Sequence, residues 1–121
     1  MKGATVGSPT ARSVLEIEGS REREHLRTLI VEDPNDLAVL LADRISEIIR
    51  RETAYKDRCV LGLATGSTPI GIYRELIRRF EAGEVDFSRV VTFNLDEYYP
   101  MSPDSIHSYR RYMMELSLIH I

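Results

Sequence analysis

Two short clusters in this sequence hold residue types able to do chemistry. The first is Thr65-Gly66-Ser67-Thr68-Pro69, which follows an apolar run and precedes a helical pattern. Gly66 can take φ > 0 and lets a ligand approach the backbone closely. Ser67 and Thr68 carry hydroxyls, and either could cap the helix that follows, with Pro69 in its first turn. Unpaired amides at a helix start, together with the positive end of the helix dipole, favour an anion such as phosphate. The same residues also make an ordinary turn and cap, and local pattern leaves both readings open. The lysine and glycine spacings of the Walker loop and of GxGxxG are missing, which weighs against NTP hydrolysis and dinucleotide binding.

The second cluster is Asn94-Leu95-Asp96-Glu97-Tyr98, at the end of another apolar run. A carboxylate held beside a bound sugar phosphate can act as general base for a proton on carbon. Burial would tune its pKa for that work. The plain alternative is a solvated acidic pair in a strand-to-loop turn, or a cap, which spacing alone favours. Asp96 and Glu97 are adjacent, so they point different ways rather than forming a dyad. No His or Cys stands beside them at ligand spacing, and no metal is expected.

The elements that must position these clusters are visible in the periodicity. The run 58–64 (RCVLGLA) reads as a strand covered on both faces, as in a parallel sheet. Tyr73, Leu76, Ile77 and Phe80 then recur at helical spacing, with Arg74, Glu75, Arg78 and Arg79 outside that stripe and Gly83 as the stop. Residues 90–93 (VVTF) read as the next strand. Strand, helix, strand in this order implies a parallel crossover. In a doubly wound sheet, ligands sit beyond the C-terminal ends of such strands.

Upstream, residues 28–31 (TLIV) form a weaker strand candidate. Asp33 is a plausible N-cap with Pro34 at the first helical position. Leu37, Leu40, Leu41, Ile45, Ile48 and Ile49 predict an amphipathic helix over about residues 34–51. Residues 105 to about 116 predict a further helix, with Ile106, Tyr109, Met113 and Leu116 on one side. The expected inventory is about three strands and three helices, roughly half of an ordinary doubly wound domain of about 5–6 strands.

With 121 residues the chain holds one domain at most. The balance of 43% hydrophobic and 29% charged residues is that of a globular protein. The net charge of −3, without a basic stripe, argues against nucleic acid as a partner. No run approaches the ~18 apolar residues of a membrane span, and the N-terminus lacks the apolar core of a secretory signal. A cytoplasmic protein with no membrane partner is expected. The one cysteine, Cys59, excludes an internal disulfide and reads as a buried thiol. His25, His107 and His120 are scattered and read as surface or packing residues. Tyr98, Tyr99, Tyr109 and Tyr112 read mainly as packing residues, with Tyr98 able to line a pocket. Arg110 and Arg111 read as solvent-facing.

With these motifs in hand, the chain resembles the glucosamine-6-phosphate deaminases. LGLATGSTPIGIY resembles that family's strand, phosphate loop and helix, and VVTFNLDEYYP followed by SPDSIHSYRRYM resembles its second signature. The resemblance runs from about Thr28 to Glu115. It implies a Rossmann-like three-layer αβα fold with a parallel sheet, of which only the N-terminal half is expected here. Residues 1–24 are expected to be a mobile tail, 25–115 half of a sugar-phosphate deaminase/isomerase domain, and 116–121 (LSLIHI) an aberrant or truncated ending.

The resemblance further implies conversion of glucosamine 6-phosphate and water to fructose 6-phosphate and ammonia, with no cofactor. Thr65, Gly66, Ser67 and Thr68 match the loop that holds the sugar phosphate. Asp96 matches the base that moves a proton between C2 and C1 of the opened sugar. Glu97 and Tyr98 match pocket positions. The expected partners are a small-molecule sugar phosphate and, at full length, further copies of the same chain. The family's ring-opening histidine and additional phosphate ligands lie beyond the matched segment, so the polypeptide alone is expected to be inactive. A 6-phosphogluconolactonase has a similar loop, but NLDEYY argues against it. A sugar-phosphate-binding domain without turnover is the remaining alternative.

Overall fold

A computed structural model describes residues 15–16 and 29–116. In order, the elements are β1 (Leu15–Glu16), β2 (Leu29–Ile30), α1 (Pro34–Tyr55), β3 (Cys59–Leu63), α2 (Ile70–Glu81), β4 (Val90–Asn94) and α3 (Tyr109–Glu115). The expectations for residues 1–24 and 116–121 fall outside the described residues, apart from Leu15, Glu16 and Leu116. His25 and His120 also lie outside them.

The start of α1 is set by Asp33, whose carboxylate accepts the Asn35 amide at 2.6 Å, and by Pro34 in the first turn. The helix runs to Tyr55, past the expected stop near residue 51. No glycine or proline interrupts 51–55, and the Thr53 hydroxyl and the Lys56–Glu52 pair support the last turn. Its buried seam also differs from expectation. Ala38, Ala42, Ser46 and Ile49 are buried, whereas Leu37 and Leu41 are exposed. Small residues spaced one turn apart let α2 pack closely. A Cβ added at Gly71 of α2 would stand 3.4 Å from the Ala38 methyl. Ser46 is tolerated in this seam because its hydroxyl donates to the Ala42 carbonyl at 2.7 Å.

Strands β3 and β4 pair in parallel, with Cys59 opposite Val90 and Leu63 opposite Asn94. Cys59 and Leu63 face a core shared with Ala42, Ile49, Tyr73, Leu76, Val85, Phe87 and Met113. The expected strand at 28–31 does not extend this sheet. Leu29 and Ile30 pair antiparallel with Leu15 and Glu16 instead. Nor is β3 covered on both faces: Val60 is 61% exposed and Phe93 62%. Among the described residues, helices cover one face of the pair and leave the other bare, so an all-apolar run did not imply double coverage here.

Gly83, at φ 72°, ends α2, and its amide and that of Glu84 return to the Phe80 and Arg79 carbonyls. Phe80 and Phe87 then meet edge to face at 6.2 Å and lead the chain into β4. Arg79 departs from expectation. It is buried rather than outside the stripe, and its guanidinium bonds Glu75 at 2.8 Å and Asp43 of α1. This ion pair ties α2 to α1 where an aliphatic residue would otherwise pack. Helix α3 begins at Tyr109 rather than 105, because Ser102–Ser108 forms two successive turns closed by the Ser105 and Ser108 amides.

Candidate active site

The parallel register brings the two sequence clusters together. Leu63 and Asn94 are paired at the ends of their strands, and the Leu95 amide continues the ladder to the Leu63 carbonyl at 3.1 Å. Thr65 and Asp96 therefore each stand two residues past a paired position, on neighbouring chains that run about 4.8 Å apart within the ladder. Both clusters leave the same, C-terminal edge of the sheet.

In the first loop, Gly66 adopts φ 100°, a conformation L side chains rarely take. A Cβ there would meet nothing within 4 Å, so the glycine is required by backbone angle and not by crowding. Among the described residues, the amides of Gly66, Ser67 and Thr68 donate to no protein acceptor. Neither Ser67 nor Thr68 caps α2, contrary to expectation. Pro69 is the cap, and the turn closes through the Ser67 carbonyl, which accepts the Ile70 amide at 3.4 Å. The chain already turns helically at Pro69, which leaves both hydroxyls uncommitted to the helix.

Two phenols hold this loop from below and from the side. Tyr73 of α2 donates to the Ala64 carbonyl, and Tyr112 of α3 donates to the Gly66 carbonyl at 2.6 Å. Burial pushes the Tyr73 phenol up to about 12 and raises Tyr112 as well, so both remain donors at neutral pH. Sequence reasoning took both for packing residues. For Tyr73 the signal lay in helix geometry, since side chains near a helix start lean toward its N-terminus and reach the preceding loop. Tyr112 reaches the loop from a different helix and carried no local signal.

In the second loop, Asp96 is exposed at the strand end. Its neighbour Glu97 is fully engaged by protein. One oxygen accepts the amides of Tyr98 at 3.0 Å and Tyr109 at 3.1 Å, and the other accepts Ser108 Oγ at 3.0 Å and the Arg110 amide at 3.2 Å. The Tyr109 amide first, with the other donors, lowers its pKa below the usual glutamate value. Glu97 thus caps α3, with Ser108 as the N-cap whose hydroxyl also accepts the Arg111 amide. The Tyr98 hydroxyl is 3.2 Å from that of Tyr109, and their rings meet at a 43° tilt with centroids 5.1 Å apart. Arg111 is a strut and not a free surface cation: it pairs with Glu115 at 2.9 Å and donates to the Asp104 carbonyl at 2.9 Å. His107 is exposed. Among the described residues, no cluster of His, Cys, Asp and Glu could hold a metal ion, and no helix is long and apolar enough to cross a membrane.

Over 96 residues the chain is 47% identical to glucosamine-6-phosphate deaminase 2 of Bacillus subtilis, covering 79% of this chain and 37% of that one. Over this stretch the chain is similar to the glucosamine-6-phosphate deaminases. The deaminase of a Thermoanaerobacter species is 47% identical over 81 residues, covering 67% of this chain and 32% of its own. Deaminase 2 of Giardia intestinalis is 51% identical over 86 residues, covering 71% and 31%. A solved structure, described as a monomeric glucosamine-6-phosphate deaminase of the NagB superfamily, superposes with a TM-score of 0.63 at 38% identity. It covers 69% of this chain and 33% of that one. The α/β fold expected from the sequence is thus supported by a solved relative. The chain spans about a third of the length of the curated relatives it matches. No protein-family model matches it.

Proposed function

We propose that this chain supplies the phosphate loop and the proton-transfer base of a glucosamine-6-phosphate deaminase. The observation that carries the proposal is the shared strand edge. The free amides of Gly66, Ser67 and Thr68 and the carboxylate of Asp96 emerge side by side from paired parallel strands. The loop amides, the Ser67 and Thr68 hydroxyls and Thr65 hold the sugar phosphate, as backbone donors at a helix start do for anions. This anchors one end of the opened sugar and leaves its C1–C2 end to reach Asp96.

Asp96 takes the proton from C2, and that electron pair forms the C1–C2 double bond of an enolamine while the C1 carbonyl π bond breaks and its electron pair moves to O1, which takes a proton from water. The same carboxyl returns the proton to C1, and the nitrogen lone pair closes a C2 imine. Water adds to that imine, and ammonia leaves as the ketone of fructose 6-phosphate forms. One carboxylate serves both proton steps because C1 and C2 are adjacent. The residues in these roles need no cofactor. Glu97, with both oxygens engaged, supports the loop, while Tyr98 forms a wall beside Asp96. A cytoplasmic setting and assembly of copies of the whole protein belong to the same proposal.

The test is ammonia release from glucosamine 6-phosphate by this chain continued to the length of its relatives. Release supports the reading. Activity only on 6-phosphogluconolactone would refute it, and binding without turnover would favour a sensing role.

A further inference from the structure

Helix α3 touches both loops of the site. Its N-terminal end is bound by Glu97, the residue after Asp96, through Ser108 Oγ and the amides of Tyr109 and Arg110 at 3.0–3.2 Å. One turn later, Tyr112 donates to the Gly66 carbonyl at 2.6 Å. Between these contacts the helix is fixed to the protein body, because Ser108 and Met113 are 1% and 2% exposed and Met113 enters the core.

The Tyr112 bond does more than hold the loop down. A carbonyl and the following amide belong to one planar trans peptide and point in opposite directions. Holding the Gly66 carbonyl toward Tyr112 therefore turns the Ser67 N–H away from α3. Tyr73, on the Ala64 carbonyl, fixes the Thr65 N–H in the same way. Of the amides read as anion donors, that of Ser67 is thus oriented by a phenol outside the loop.

We propose that α3 is a strut that sets the spacing between the anion loop and Asp96, with Glu97 and Tyr112 as its positioning residues. The proposal rests on the reading of the two loops as one site. Neither residue has to touch substrate. Glu97 acts through the loop that carries Asp96, and Tyr112 acts through the Ser67 amide. Each end of the strut is coupled to the other by a helix of seven residues. Movement at either end is felt at both.

Backbone amide NMR spectra of this chain, with Tyr112→Phe and Glu97→Gln, test the proposal. Both substitutions keep side-chain volume, so the fold is retained. Tyr112→Phe is expected to shift the amides of Asp96, Glu97 and Tyr98 as well as those of Gly66–Thr68. Glu97→Gln is expected to shift Gly66–Thr68 as well as Ser108–Arg110. Shifts confined to the substituted end in both variants would overturn the strut. Titration with inorganic phosphate gives a second readout. Tyr112→Phe is expected to weaken binding about fivefold, the effect of one hydrogen bond, measured well below the unfolding midpoint of the variant. Unchanged phosphate affinity in that variant counts against the role of Tyr112. If the unsubstituted chain binds no phosphate, the anion-loop reading fails, and the strut is decided by the cross-loop shifts alone.

Discussion

The Glu97 carboxylate accepts the Tyr109 amide at 3.1 Å, joining the end of β4 to the start of α3. These donors favour the charged carboxylate, so its pKa is lower in the folded chain than in the unfolded one. The unfolded chain then binds the extra proton as pH falls, and stability rises with pH through that window. The contribution is full above the ordinary glutamate pKa of about 4.3 and is lost as pH falls through the lowered value. Urea midpoints should therefore separate the native protein from Glu97→Gln at neutral pH and converge as the pH falls through the lowered Glu97 value. A separation that grew on acidification would contradict the cap.

Asp96→Asn removes the proposed base and keeps its shape. Ammonia release should fall by about 10²–10⁴-fold, the range for loss of a general base, with glucosamine 6-phosphate still bound. The measurement is turnover by the continued chain alongside calorimetric binding. Retained turnover would exclude Asp96 from proton transfer.

Gly66 and Gly83 offer a matched pair, since both have positive φ and open space where a Cβ would stand. Alanine at either should cost about 1–2 kcal/mol of stability through backbone strain. Only Gly66→Ala should also weaken phosphate binding, because only Gly66 shapes the loop amides. Equal phosphate affinity in the two variants would mean that the loop angle is irrelevant to the anion.

Arg79 and Arg78 both bond Glu75, but Arg79 is buried and Arg78 exposed. Arg78 first, then Arg79, holds the Glu75 carboxyl at about 2. Arg79→Ala removes a buried side chain together with its bonds to Glu75 and Asp43 and should lower the unfolding free energy by about 1–3 kcal/mol. Arg78→Ala should cost clearly less, as exposed pairs are screened by water. Thermal and urea unfolding of the two variants would rank them.

The sequence carried α1 and α2 because each pairs a strong period with a boundary signal, Asp33-Pro34 at the start of α1 and Gly83 at the end of α2, and it carried β3 and β4 as short apolar runs. It also carried the candidate site, since Thr65–Thr68 and Asp96 follow apolar strands directly. What it lacked were the partners reached only through tertiary packing. Arg79 looks solvent-facing by period, yet Asp43 and Glu75 make it a buried link between helices. The α1 seam runs through Ala38, Ala42 and Ser46 because close approach to α2 favoured small residues over the larger Leu37 and Leu41. Residues 29–30 had the composition of a strand, but composition does not choose between β1 and β3 as a neighbour. Tyr73 and Tyr112 read as apolar bulk, and only the structure shows their hydroxyls on the Ala64 and Gly66 carbonyls.

The crossover that joins Cys59 to Val90 spans the whole of α2. Helices can form from local contacts, but β3 and β4 meet only after the intervening chain has closed on itself, an entropically slow event. Until then the Thr65 loop and Asp96 belong to separate segments with no fixed distance between them. A ligand bridging the two would act as a clasp on the finished crossover. During refolding, the capacity to hold phosphate beside Asp96 would therefore keep time with the joining of the strands rather than with the winding of the helices.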